Sequence, residues 1–90
     1  MHRFLSIIST QKLRYTNRTQ HRLLFILEPW AEEYWIEPGE HVDIEVRNGT
    51  PGHYLEFERT GEWLILYSTE GSVISILRDG KKLAPSPQGR

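Results

Sequence analysis

His41-Val-Asp-Ile-Glu-Val-Arg47 alternates apolar and polar side chains without a break. Successive side chains of a β-strand point to opposite faces, so Val42, Ile44 and Val46 share one face while His41, Asp43, Glu45 and Arg47 share the other. The stretch is a half-buried strand. It sets the reading on either side, because no window of the chain shows a helical stripe.

Downstream, Asn48-Gly49 and Pro51-Gly52 form a turn, and Leu55 and Phe57 then alternate with Tyr54, Glu56 and Glu58. After Thr60-Gly61 comes Trp63-Leu-Ile-Leu-Tyr67, apolar on both faces, and Trp63 is read as core. Glu70-Gly71 leads into Val73-Ile-Ser-Ile-Leu77. Asp79-Gly80 is the strongest hairpin signal, because a type I′ turn needs φ > 0 at both central residues. A short strand over 81–84 closes the series, so the second half reads as an antiparallel meander of four strands joined by three tight turns. Upstream, Leu23-Leu-Phe-Ile-Leu27 is apolar on both faces and reads as a central or doubly covered strand. Leu13 and Tyr15 alternate with Lys12, Arg14 and Thr16, which suits one wet face. Between Pro29 and Pro38, the segment Trp30–Glu37 reads as a short strand or a single helical turn.

The expected fold is all-β: a compact antiparallel β-sandwich of seven or eight short strands, with a small closed barrel as the alternative. Residues 1–84 make one domain, and Pro85–Arg90, without an apolar side chain besides its prolines, is expected to be a flexible tail. The run Phe4–Ile8 is interrupted by Ser6 and falls short of the roughly 7–15 apolar residues of a secretory core, so it too reads as a strand. No stretch approaches the ~20 apolar residues of a membrane span, and the chain is expected in the cytosol with no membrane partner.

Ninety residues with 38% hydrophobic content can build one core, and the absence of cysteine removes disulfides, thiolate metal sites and a cysteine nucleophile. A net charge of −1 argues against a general nucleic-acid binder. That charge is a sum of unequal blocks. Residues 1–27 carry five bases and no acid, whereas residues 28–45 carry seven acids and no base. Blocks so close in sequence are expected to lie side by side and pair across strands, rather than to make a bipolar surface.

Asn17-x-Thr19, Leu24-Phe-Ile-Leu-Glu-Pro-Trp30, Glu37-Pro-Gly-Glu40 and the alternating Val42–Val46 strand together resemble a group of short bacterial all-β proteins. The resemblance covers residues 17–83 and implies a fold without an activity. Pro38-Gly-Glu-His-Val-Asp-Ile-Glu-Val46 is similar to a strand-opening pattern of immunoglobulin-like and cupredoxin-like sandwiches. A cupredoxin copper site needs a cysteine thiolate, so no copper function carries over.

Candidate sites are few. Trp30, Tyr34 and Trp35 fall within six residues, beside Glu32 and Glu33. Aromatic rings bury large area at low entropic cost, which suits a protein interface, and beside carboxylates they also suit stacking on sugar rings. Against both stands the use of one or two of these rings as core, which a domain this small needs. His2, His21, His41 and His53 show no metal-ligand spacing, and only His41 with His53 would meet if their strands paired. Lys12, Arg14 and Tyr15 give a faint single-strand nucleic-acid pattern, opposed by the neighbouring acids. The sequons Asn17-Arg-Thr19 and Asn48-Gly-Thr50 matter only in a eukaryotic secretory pathway. No nucleophile elbow, P-loop or dinucleotide fingerprint occurs, and no catalytic residue or cofactor is assigned. The expected function is a non-enzymatic interaction or accessory module with a protein partner or a second copy of itself, the alternatives being carbohydrate recognition and a histidine-based metal site.

Overall fold

The alternation in His41–Arg47 is realised as a strand with Val42, Ile44 and Val46 buried and their neighbours partly exposed. In the computed structural model, which describes residues 10–48 and 54–86, it is one of eight strands, with no helix among the described residues. These are β1 (Thr10–Thr16), β2 (Leu23–Glu28), β3 (Glu32–Ile36), β4 (His41–Arg47), β5 (Glu56–Thr60), β6 (Trp63–Tyr67), β7 (Val73–Arg78) and β8 (Lys81–Lys82). They form two four-stranded sheets that pack as a sandwich. Sheet A has the order β1-β4-β7-β8, and sheet B has the order β3-β2-β6-β5.

The core is what period-two patterning puts between the sheets. Val42, Ile44, Val46 and Ile76 come from sheet A, and they meet Phe25, Leu27, Tyr34, Ile36, Leu64 and Leu66 from sheet B. Phe25 and Tyr34 are cross-strand partners with ring centroids 6.1 Å apart in a tilted arrangement, the spacing aromatic pairs favour. At one side of the sandwich, Arg59 of β5 donates to Tyr15 Oη of β1 at 3.2 Å and ties the two edge strands together.

The two strands apolar on both faces, β2 and β6, are the central pair of sheet B and lie parallel, Leu24 opposite Trp63 and Leu27 opposite Leu66. This is one departure from a wholly antiparallel sandwich. The expected four-strand meander is another. β5–β6 and β7–β8 are hairpins, but β6 and β7 lie in different sheets, so Glu70-Gly71 ends a crossover rather than a hairpin. There Ser72 turns back, its N–H and Oγ both donating to the Thr69 carbonyl. Asp79-Gly80 is the expected tight turn, with φ of 52° and 81°. The Trp30–Glu37 segment resolves to strand β3. The expected strand over Phe4–Ile8 lies outside the described residues, as do Gly49–His53 of the expected turn. Within the segment expected to be a tail, Ser86 donates its N–H to the Glu33 carbonyl at 2.7 Å.

The crossing from β1 to β2 turns on Asn17, a fully buried amide. Its Oδ1 accepts from the Thr19 N–H (3.0 Å) and hydroxyl (2.7 Å), and its Nδ2 donates to the carbonyls of His21 (2.8 Å) and Ile36 (2.9 Å). Its backbone N–H donates to Glu40 and its carbonyl accepts from Gly39. Every polar atom of the residue is satisfied, which is what makes a buried amide tolerable. Asn17 is thus a structural pin and not an exposed glycosylation acceptor.

Candidate functional site

Alternation along β3 divides the five residues singled out from the sequence. Tyr34 points into the core at 5% exposure, and its phenol donates to Glu32 Oε1 at 2.8 Å. Burial, then that hydrogen bond and the Glu32 charge, hold the phenol well above its usual range. Trp35 and Glu33 lie on the opposite, outward face of sheet B, across from Leu24 and Ile26. Trp30 sits in the β2–β3 turn, 48% exposed, beside Glu32, Ser72, Val73 and Ile74 at the far end of the sandwich. The three rings do not converge.

The outward face of sheet B instead brings together residues distant in sequence. Cross-strand register sets Trp35, Leu24, Trp63 and Thr60 in one row across β3, β2, β6 and β5. The next row is Glu33, Ile26, Ile65 and Glu58, and the third carries Glu28, Tyr67 and Glu56. Trp35 and Trp63 are 40% and 51% exposed, while Leu24 between them is buried. Trp35, Thr60, Gly61, Glu62 and Trp63 line a shallow depression of about 390 Å³. The Arg22 guanidinium lies 3.8 Å over the Trp35 ring and 3.7 Å from Glu37, a cation–π contact that fixes this indole in place. Tyr67 donates to Glu58 Oε1 at 2.7 Å. That bond, some burial and the charges of Glu58, Glu28 and Glu56 raise its phenol above the usual range.

Trp63 is therefore a correction: its place in an apolar strand assigned it to the core, yet it faces out. The distinguishing signal is the contrast within β6, where Leu64 and Leu66 make a purely aliphatic inner face and Trp63, Ile65 and Tyr67 a mixed outer one. Tyr67, Glu58 and Arg22, which complete the face, carried no motif.

Sheet A presents a different outer surface. β1 and β4 pair so that Lys12 lies opposite Glu45 and Arg14 opposite Asp43. Arg14 grips Asp43 with two bonds, Nε–Oδ1 at 2.6 Å and Nη2–Oδ2 at 3.1 Å. This pairing holds the Asp43 carboxyl below the usual carboxylate range. Arg47 meets Glu45 at 2.8 Å. Arg14–Asp43 thus pairs the basic and acidic blocks across β1 and β4, whereas Glu28 and Glu33 of the acidic block lie on the outer face of sheet B. Tyr15 faces the other side of β1 from Lys12 and Arg14, so the basic and aromatic members of the faint nucleic-acid pattern are split between two surfaces.

His41 Nε2 lies 3.4 Å from Asp79 Oδ1 and 4.0 Å from Asp43 Oδ2, with no hydrogen-bond partner among the described residues. Those residues include no group of three or more His, Asp or Glu side chains disposed to hold a metal ion, and His53 lies outside them. No helix among them is long and apolar enough to cross a membrane. No protein family matches this chain, and neither does any curated protein or solved structure.

Proposed function

We propose that this chain is a non-enzymatic interaction module that docks a protein partner on the outward face of sheet B. One observation carries the reading: two tryptophans distant in sequence, Trp35 and Trp63, stand exposed in one cross-strand row on either side of Leu24. Rigid aromatic anchors around an apolar centre with a polar rim describe a protein interface. The groups with shifted titration support the non-catalytic part. Tyr34 with Glu32, Tyr67 with Glu58 and Arg14 with Asp43 are each closed pairs, satisfied by one another. Within the same proposal the module works in the cytosol.

Carbohydrate recognition is the second reading, favoured by the exposed Trp63 ring beside Thr60 and Glu62. It is weaker because Arg22 occupies one face of Trp35, where a second sugar would stack. Self-association through this face would set carboxylates against carboxylates. A photoreactive residue at Thr60 separates the readings. In the native host it should give a discrete protein adduct that the same probe at Ser75, on the outer face of sheet A, does not. A product of twice the chain mass would mean self-association. No adduct at Thr60, with tryptophan fluorescence shifting on a glycan panel, would replace this reading by the second.

A further inference from the structure

A second interaction surface lies at one edge of sheet B, apart from the aromatic row and independent of how that row is read. An edge strand carries main-chain N–H and C=O groups that no neighbour pairs, a template for one more strand. The sandwich has such edges at β1, β8, β3 and β5. β8 is only two residues long, and β3 already takes the Ser86 N–H on its Glu33 carbonyl. On β1 the outward cations Lys12 and Arg14 stand opposite Glu45 and Asp43 of their own sheet. β5 differs. Glu56–Thr60 is exposed along its whole length, and Glu56 makes no hydrogen bond or ion pair among the described residues.

The turn of this hairpin fixes which groups point outward. Gly61 and Glu62 make a two-residue turn closed by Thr60 opposite Trp63, a pair that exchanges both main-chain bonds. Alternation from there sends the N–H and C=O of Glu58 and Glu56 to β6, and those of Phe57 and Arg59 to the free edge. Phe57 lies opposite the buried Leu66 and so on the core-facing side, yet it stays exposed. Leu13 of β1, opposite the buried Ile44, does the same. The bond from Arg59 to Tyr15 sets β1 over β5, so both apolar side chains border one open side of the sandwich. A strand added to β5 has one row of side chains toward Phe57 and Leu13. Its other row lies beside Glu56 and Glu58 on the outer face, where Glu58 also takes the Tyr67 hydroxyl.

We infer that β5 accepts an extended basic segment of a partner protein as one more strand of sheet B, bonded main chain to main chain at Phe57 and Arg59. The apolar residues of that segment face Phe57 and Leu13, and its lysines or arginines alternate with them beside Glu56 and Glu58. The unpaired amides select an extended backbone, and the unpaired carboxylate selects its sign. A second copy of β5 in this place sets the same acids beside one another, and a nucleic acid brings phosphate to them without a row of amides.

The test uses the full chain with a capped Lys-Val-Lys-Val-Lys peptide, two N-methylated forms of it and a Glu-Val-Glu-Val-Glu counterpart. Binding is read by amide chemical shifts and hydrogen exchange. The parent peptide should bind saturably and slow exchange at the Phe57 and Arg59 amides by about tenfold or more. N-methylation of both valines, whose N–H groups face β5, should weaken binding about tenfold or more, the size of two main-chain bonds. N-methylation of the lysines, whose N–H groups face away, should leave it unchanged. The Glu counterpart should bind about threefold more weakly or worse, since like charges then stand opposite. Phe57→Pro removes an N–H that β6 does not use, so the hairpin stays paired while binding falls about tenfold. Phe57→Ala keeps that N–H and should lose less.

Equal binding after valine methylation, or binding that leaves the Phe57 and Arg59 amides unprotected, overturns strand addition. If Trp63→Ala abolishes such binding, the peptide sits on the aromatic row, and the docking reading of that face stands without this one. Equal binding of the Glu counterpart overturns the basic partner, and no binding of the parent peptide overturns the inference as a whole.

Discussion

Asn17 shows how much of this fold hangs on one side chain. Its amide holds two carbonyls, those of His21 and Ile36, that would otherwise be short of donors inside the protein. Asn17→Asp replaces those donors with a carboxylate oxygen facing two carbonyl oxygens. The expected cost is about 3 kcal/mol or more, from two lost bonds and a buried unpaired charge. Urea midpoints at neutral and acid pH check it. Part of the loss should return in acid, where a protonated carboxyl donates again. The sequence displayed this residue as half of an Asn-x-Thr pattern, but nothing in that pattern says the amide is inside, because its partners lie up to 19 positions away. Tyr34 makes a second prediction at this scale. Its phenol is raised in the folded state, so the stability linked to it is fully present below the ordinary tyrosine range near pH 10 and lost as pH rises through the folded value. Tyr34→Phe should therefore flatten the fall in urea midpoint above about pH 10. At neutral pH it should cost about 0.5–1.5 kcal/mol for the hydrogen bond to Glu32. An unchanged alkaline slope would mean that the phenol is not buried.

Strands were legible wherever one side of the chain met water. Val42, Ile44 and Val46 announce β4 by alternation alone, and β2 and β6 announce central positions by being apolar on both faces. What stayed hidden was which strands pair. Glu70-Gly71 is as good a turn signal as Asp79-Gly80 read locally, yet one precedes a switch between sheets and the other closes a hairpin. The difference lies in distant partners: β7 finds β4, and β6 finds β2, because two doubly apolar strands bury most as central neighbours in one sheet. The Asp79-Gly80 turn can be tested by itself. A Cβ on Gly80 would meet nothing within 4 Å, so a substitution there is penalised only through its φ of +81°. Gly80→Val should cost about 1–2 kcal/mol, and Gly80→Asn, whose side chain tolerates that region, distinctly less. Equal melting of the two variants would remove the turn geometry as the cause.

At the scale of the whole molecule, the near-zero charge divides by face rather than by block. The outer face of sheet A pairs its charges internally through Arg14–Asp43 and Arg47–Glu45, while sheet B keeps its acids around an aromatic row. The candidate site was invisible in sequence for that reason: β2, β3, β5 and β6 contribute to it, and only the register of four strands brings Trp35 to Trp63. The acids on both sides keep two such faces apart, which leads to a last prediction. A two-fold axis parallel to the strands would lay one copy on another with the β5 rim of each against the β3 rim of its mate. In the wild type that opposes Glu56 and Glu58 to Glu33, and light scattering should report a monomer at low ionic strength. The double reversal E56K/E58K turns the same contact into opposite charges on both sides of an apolar centre. It should form a dimer that salt weakens and that Trp63→Ala abolishes. A wild-type dimer sensitive to Trp63→Ala would show instead that the aromatic row overcomes its own rim, and the face would then belong to a second copy of this chain.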